Sequence, residues 1–94
     1  MDLKETFEHS GFNSASVVTE VYRFFHEASH SFYRLEIAKQ FATERYTATP
    51  YREVDNGDAG PLTLETLIDF PWVDQPTSEG ALHDALDFLG DRLR

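Results

Sequence analysis

The segment 17–54 constrains the fold most, because it carries the densest run of aromatic and β-branched residues in the chain. Such residues favour strands, since their side chains pack well on a pleated sheet. Within the segment, apolar residues at Tyr33, Leu35 and Ile37 alternate with polar ones at Arg34 and Glu36. This two-residue period is typical of a strand with one buried and one wet face. The segment therefore predicts three strands, at about residues 17–26, 31–39 and 44–53.

The same segment contains the pattern H-E-x-x-H at His26, Glu27 and His30. On a helix this spacing places two imidazoles on one face, where they can bind zinc while the glutamate activates a metal-bound water. Apolar residues recur at steps of three and four from Val18 to Leu35, which supports a helix. That helix would be apolar nearly all round, which is unusual in a small globular protein. The sequence favours a hairpin turn over residues 27–31, and a zinc site is the alternative.

A zinc hydrolase would need a third ligand besides His26 and His30. Glu65 and Asp69 have the E-x-x-x-D spacing, which resembles the third-ligand helix of gluzincin metalloproteases. This resemblance, confined to a few residues, implies zinc as the cofactor, Glu65 as the third ligand and Glu27 as the catalytic base. Glu65 lies, however, in an alternating segment that favours a strand. The favoured interpretation assigns no catalytic residue, metal ligand or cofactor, and a small zinc-dependent hydrolase is the alternative.

Two shorter elements are predicted outside this segment. Asp2 can cap a helix that runs to about Ser10, where Gly11 ends it. A loop rich in glycine, proline, Asp and Asn at 55–61 precedes alternating residues that predict a fourth strand at about 62–70. Pro50 cannot donate a hydrogen bond to a neighbouring strand, so it indicates an edge position or a bulge in the third strand.

The C-terminal helix is predicted from a cap at Thr77 or Ser78 and from an apolar stripe. The stripe that it should bury consists of Leu82, Ala85, Leu86, Leu89 and Leu93. The elements together predict an α+β fold: a four-stranded, mainly antiparallel sheet, the C-terminal helix packed on one face, and a short N-terminal helix. A length of 94 residues predicts a single domain.

Charge is distributed very unevenly along the chain. Of the net charge of −9, the first 52 residues contribute −1 and the last 42 contribute −8. Between Glu53 and Asp91 there are ten acids and no lysine or arginine. Such a surface repels nucleic acid, so direct nucleic-acid binding is not expected. It predicts a non-catalytic protein-binding or regulatory module that engages a basic partner, for example as an inhibitor or nucleic-acid mimic; a solvated face that serves solubility is the other interpretation.

The candidate partner-binding residues are the acids of the final helix and its approach, together with the neighbouring tryptophan: Trp72, Asp74, Glu79, Asp84, Asp87 and Asp91. Tryptophan is a favoured interface anchor, which makes Trp72 a candidate contact, but the interpretation that the sequence favours for Trp72 is that it caps the core where the last helix packs on the sheet. No apolar run reaches the ~20 residues of a membrane span, and the start of the chain lacks a signal peptide's basic region, so a cytoplasmic location is expected. The chain has no cysteine, which excludes disulfides and thiolate metal sites. Dimerisation through an edge strand is left open.

Overall fold

The structure of the protein, a computed structural model, describes residues 2–55, 57, 60 and 62–94. In chain order these residues form α1 (Leu3–His9), β1 (Ser16–His26), β2 (Ser31–Gln40), β3 (Tyr46–Val54), β4 (Thr63–Thr66) and α2 (Ser78–Arg92). The loop predicted at 55–61 falls largely on residues 56, 58, 59 and 61, which lie outside the described residues. At its start the Asp55 carboxylate accepts the Gly57 N–H at 2.8 Å, as in a short Asx turn.

The strands form one open antiparallel sheet in the order β1-β2-β3-β4, and α2 packs on β3 and β2. The predicted α+β fold is therefore confirmed. Asp2 caps α1, its carboxylate accepting the Glu5 N–H at 2.8 Å, as the sequence predicts. No residue of α1 is buried, and the helix is attached to the rest of the protein by a ring contact between Phe7 and Phe41, 5.8 Å apart.

The core lies between the sheet and α2. Leu35 and Ile37 project from β2 toward the helix, where Ala81 and Ala85 meet them and Val73 fills the remaining space. Successive side chains of a strand point to opposite faces. We call the side of the sheet that carries Leu35 and Ile37 the helix face, and the opposite side the open face.

The predicted stripe of α2 is partly wrong. The helix buries Ala81, Ala85 and Leu89, whereas Leu86 is 42% exposed. The two alanines let the helix axis approach the sheet closely, so the centre of the contact falls on the small residues and Leu86 lies on the flank. The predicted N-cap is confirmed, because the Thr77 hydroxyl accepts the Gly80 N–H at 3.0 Å.

Two strands are shorter than predicted, because left-handed residues turn the chain out of the sheet. β3 begins at Tyr46 and not at residue 44, since Glu44 has a φ of 59° in a turn that its N–H closes on the Gln40 carbonyl at 2.8 Å. β4 ends at Thr66 and does not continue to residue 70, since the chain turns at Asp69, which has a φ of 60°.

Pro50 lies in the middle of β3, which is an inner strand of the sheet and not an edge strand. It is paired with Leu35 on the β2 side. On the other side, β4 begins to pair only at Tyr51, opposite Thr66. At Pro50, β3 is therefore not paired with β4. Because no β4 carbonyl lies opposite Pro50 in the ladder, the N–H that proline lacks is not needed there.

Candidate functional site

The H-E-x-x-H residues lie at the tip of the β1–β2 hairpin. β1 ends at His26, β2 begins at Ser31, and the His30 N–H closes the turn on the Glu27 carbonyl at 3.1 Å. His30 has a φ of 53°, a conformation of tight turns that no α-helix contains. The predicted hairpin turn is confirmed, and the helix that the zinc alternative requires is not formed.

The turn separates the two histidines. The His26 ring packs on Tyr33, with centroids 6.3 Å apart, and its Nδ1 lies 2.8 Å from Ser29 Oγ. The His30 ring instead packs on Phe25 at 6.0 Å. Tyr33 lies on the helix face and Phe25 on the open face, so the imidazoles point to opposite sides of the sheet.

The other residues of the zinc alternative are equally dispersed. Glu65 lies on β4, where its carboxylate pairs with Arg52 at 3.2 Å, and Glu27 is exposed in the hairpin turn. Within the described residues, no group of three or more His, Cys, Asp or Glu side chains could hold a metal ion. The arrangement supplies neither a tetrahedral zinc site nor a base beside one.

The outer face of α2 carries the acids that the sequence singled out. Glu79 lies 3.7 Å from His83, and Asp91 lies 3.3 Å from Arg94, all four side chains being largely exposed. Asp87 forms no ion pair or side-chain hydrogen bond with the described residues. Surface pairs of this kind contribute little to stability, so these carboxylates are available to a partner.

Asp74 and Asp84 have structural contacts at the start of α2. Arg45 binds Asp74, its Nε lying 2.6 Å from the carboxylate Oδ1. The Gln75 side-chain amide donates to the Asp84 carboxylate, and the Gln75 main chain bridges to Tyr46 of β3. These two candidates hold the approach to α2 in place and are less free to bind a partner than Glu79, Asp87 and Asp91.

Trp72 projects from the loop between β4 and α2 and is 77% exposed. The interpretation that it caps the core is wrong, because the next residue, Val73, enters the core instead. Ile68 in the same loop is 74% exposed. A small cavity of about 170 Å³ opens beside Trp72, lined by Ala48, Thr49, Pro50, Thr66, Leu67, Phe70, Pro71 and Trp72.

The loop that carries Trp72 lies against α2. Phe70 packs edge-on against Phe88, with ring centroids 6.2 Å apart, and Arg92 donates to the Ile68 carbonyl. Asp84 and Asp91 lie four residues before and three residues after Phe88, which makes them its neighbours on the helix surface. The loop that carries Trp72 therefore borders the acidic helix. We call the exposed apolar side chains of this loop together with the free acids of α2 the Trp72 surface; it comprises Ile68, Trp72, Asp87 and Asp91.

The open face carries a charged cluster that the sequence analysis did not find. Glu53 accepts hydrogen bonds from Arg23, at 2.6 Å from Nε and 3.2 Å from Nη2, and Arg34 Nη2 lies 3.8 Å away. The Glu53 side chain is only 3% exposed. The guanidinium of Arg23 also lies 3.7 Å from the centroid of the Phe32 ring.

Hydrogen bonds from Arg23, with the positive charges of Arg23 and Arg34, hold the pKa of Glu53 below its ordinary value of 4.5 against the opposing effect of desolvation. Arg23 and Glu53 are thirty residues apart in sequence, and only the register of three strands brings them together. The available signal was that Arg23, Arg34 and Glu53 all fall on the same side of neighbouring strands. Next to the cluster an open groove of about 510 Å³ is lined by Arg23, Phe25, His30, Ser31, Phe32, Arg52, Glu53, Val54, Asp55 and Leu62.

No protein-family model matches the chain, and neither the curated proteins nor the solved structures contain a significant match. Among the described residues, neither helix has the length and apolar character that crossing a membrane would require.

Proposed function

We propose that the chain is a non-catalytic protein-binding module, and that its acidic C-terminal half engages a basic protein partner through the Trp72 surface. The observation that carries this proposal is the exposure of Trp72 on a loop that packs against the acidic helix α2. Burial of so large an apolar side chain in an interface contributes a large favourable free energy, and tryptophan is enriched among binding hot spots.

The charges around Trp72 determine the kind of partner. The last 42 residues contribute −8 to the net charge, and the carboxylates of Glu79, Asp87 and Asp91 are exposed on α2. A positive partner is steered to such a face, which raises its association rate and sets its orientation. The nucleic-acid groove of a nucleic-acid-binding protein is basic and would meet the charge requirement of such a partner. One form of the proposed function is therefore inhibition of such a protein by mimicry of its nucleic acid. A cytoplasmic location stays a prediction from the sequence.

The test is capture of partners from native extract at low and high salt, with four versions of the protein. The first is the wild type, the second is Trp72→Ala, and the third carries Asp87→Lys and Asp91→Lys. These two acids are chosen because neither holds the start of α2 in place, whereas Asp84 is bonded to Gln75. The fourth version carries Glu27→Lys and Glu44→Lys. It changes the net charge by as much as the third version does, but at exposed turn positions that are distant in sequence from α2.

We expect a basic protein that the wild type and the Glu27/Glu44 control retain at low salt. The Asp87/Asp91 variant should lose it, and Trp72→Ala should weaken its binding by about thirtyfold, the effect of a hot spot of about 2 kcal/mol. High salt should lower capture by the wild type, because exposed charges are screened beyond about 8 Å at physiological ionic strength. Equal capture of the same proteins by all four versions would contradict the proposal and would mean that the acidic face serves solubility.

A further inference from the structure

β1 is the outer strand of the sheet and, with eleven residues, a long one. Within the described part of the chain its backbone pairs with β2 alone. One bulge interrupts the ladder between Val18 and Glu20, and from Glu20 to His26 the register is continuous. Every second N–H and C=O of that stretch consequently points away from the sheet and is available to another strand.

Both faces of β1 expose apolar side chains. Val18, Val21 and Phe25 are exposed on the open face, and Tyr22 is exposed on the helix face. α2 packs on β3 and β2 and, among the described residues, makes no contact with β1. An edge strand that remains in water is normally protected by lysine, proline or inward-pointing charges. β1 has no lysine or proline, its charged residues are Glu20 and Arg23 alone, and its bulge lies toward its N-terminal end.

The shape of the molecule agrees with an incomplete sheet. The radius of gyration is 15.5 Å, whereas a compact domain of this length has a value of about 12 Å. The dimensions are 47 × 32 × 20 Å, and the buried core lies where α2 covers β2 and β3. β1 extends beyond this core as a single layer, so pairing of its edge would bury apolar surface that the isolated chain exposes.

The charge distribution indicates a second copy of the chain as the occupant of this edge. Two chains of net charge −9 repel each other, and the repulsion is strongest where the α2 faces meet. At β1 the positive charge of Arg23 is compensated by Glu53, and Glu20, the one acid of the strand, accepts a hydrogen bond from the Tyr22 hydroxyl at 2.6 Å. α2, which carries the acidic face, packs on β3 and β2 and, within the described residues, does not contact β1. The β1 edge is therefore where two copies approach with the least repulsion.

We propose that β1 pairs antiparallel with β1 of a second copy, which joins the two sheets into one of eight strands. A two-fold axis perpendicular to the sheet generates this pairing and keeps both α2 helices on the same side. An axis beside Glu20 or Arg23 would place like charges opposite each other. An axis beside Val21 places Glu20 opposite the partner's Tyr22, and an axis beside Tyr22 places it opposite the partner's Phe24, so neither of these two registers sets like charges opposite each other.

The first test is the mass of the protein in solution, measured by sedimentation equilibrium over a range of concentrations. The variant is Val21→Lys, which places a charge on an exposed side chain (54%) of the edge strand. Its control is Leu64→Lys, the same kind of change on the same face of the sheet but on β4, at the opposite edge. We expect the mass of two chains for the wild type and for Leu64→Lys, and the mass of one chain for Val21→Lys with an unchanged circular dichroism spectrum.

The second test is amide hydrogen exchange of the wild type, which does not depend on the folding of any variant. In a single chain, alternate amides from Glu20 to His26 face water and exchange rapidly, whereas in the paired form consecutive amides are slow. A wild-type mass of one chain at every concentration overturns the proposal. So does a dimer that Val21→Lys leaves intact, or a dimer in which alternate β1 amides still exchange rapidly, as they would if the partner docked elsewhere.

Discussion

Glu53 shows how far the properties of one residue depend on neighbours that are distant in sequence. From the sequence alone, an acid at the end of a strand is expected to be a solvated surface charge. In the folded protein its carboxylate is almost completely buried between two guanidinium groups, and its pKa is lowered mainly by the hydrogen bonds from Arg23. A buried carboxylate persists only when it is paired in this way, because desolvation of an unpaired charge is costly.

The lowered pKa of Glu53 predicts a pH dependence of stability. In the unfolded chain the pKa of Glu53 is near its ordinary value of 4.5, and in the folded chain the pKa is lower. The stabilising contribution is therefore complete above the unfolded value and is lost as the pH falls through the folded pKa. We expect Glu53→Gln to reduce the stability at neutral pH and to flatten the loss of stability between neutral pH and pH ~3, measured by urea unfolding at a series of pH values.

The control for this experiment is Glu65→Gln, which removes the exposed ion pair between Arg52 and Glu65. An exposed pair contributes about 0–1 kcal/mol, so this variant should follow the wild-type pH profile closely. A Glu53→Gln profile parallel to that of the wild type would mean that the Arg23–Glu53 pair does not form in solution.

At the scale of elements, the sequence predicted which segments are strands and helices better than it predicted their contacts. The alternation in β2 and the caps of α1 and α2 are local signals, and the structure contains those elements. Contact faces depend on the neighbouring element. Leucine is more apolar than alanine, so the predicted stripe included Leu86 and omitted Ala81, but close packing against Leu35 and Ile37 buries Ala81 and leaves Leu86 exposed.

The end of β4 could not be predicted for a similar reason. Apolar residues alternate from Leu62 to Trp72, yet the strand stops at Thr66. Alternation records which residues are apolar and says nothing about a left-handed turn at Asp69. Val73 then takes the core position after the turn, which leaves Trp72 outside. The acids of the candidate site were thus predictable from composition, whereas the exposure of its aromatic anchor was not.

The corrected face of α2 gives a direct stability prediction. Leu89 is 2% exposed, so Leu89→Ala should lower the free energy of unfolding by about 2–5 kcal/mol through lost burial and a cavity. Leu86→Ala serves as the matched control, because it makes the same change on the same helix at a half-exposed position and should cost about 1 kcal/mol or less. Both values come from urea unfolding, and a larger cost at Leu86 would mean that α2 is rotated from the position described.

At the scale of the whole molecule, the dominant feature is the separation of charge between the two halves of the chain. The basic residues Arg23, Arg34, Arg45 and Arg52 each meet an acid across the sheet or its adjoining loops. The outer face of α2 has no comparable supply of positive charge. Its carboxylates therefore repel one another, and this repulsion lowers the stability of the folded protein.

This repulsion predicts that Asp87→Lys stabilises the protein. Asp87 lies three residues after Asp84 and four before Asp91, and each such like-charge pair destabilises a helix by about 0.2–0.5 kcal/mol, while an opposite pair stabilises it similarly. Reversal of Asp87 should therefore add about 1 kcal/mol at low salt and raise the melting temperature by about 4–8 °C. Glu27→Lys changes the net charge equally in the hairpin turn and should have a much smaller effect. Because salt screens exposed charges, the gain at Asp87 should shrink in concentrated sodium chloride. An equal gain from Glu27→Lys would assign the effect to the net charge of the chain, and a gain that persists in high salt would show that it does not arise from repulsion on α2.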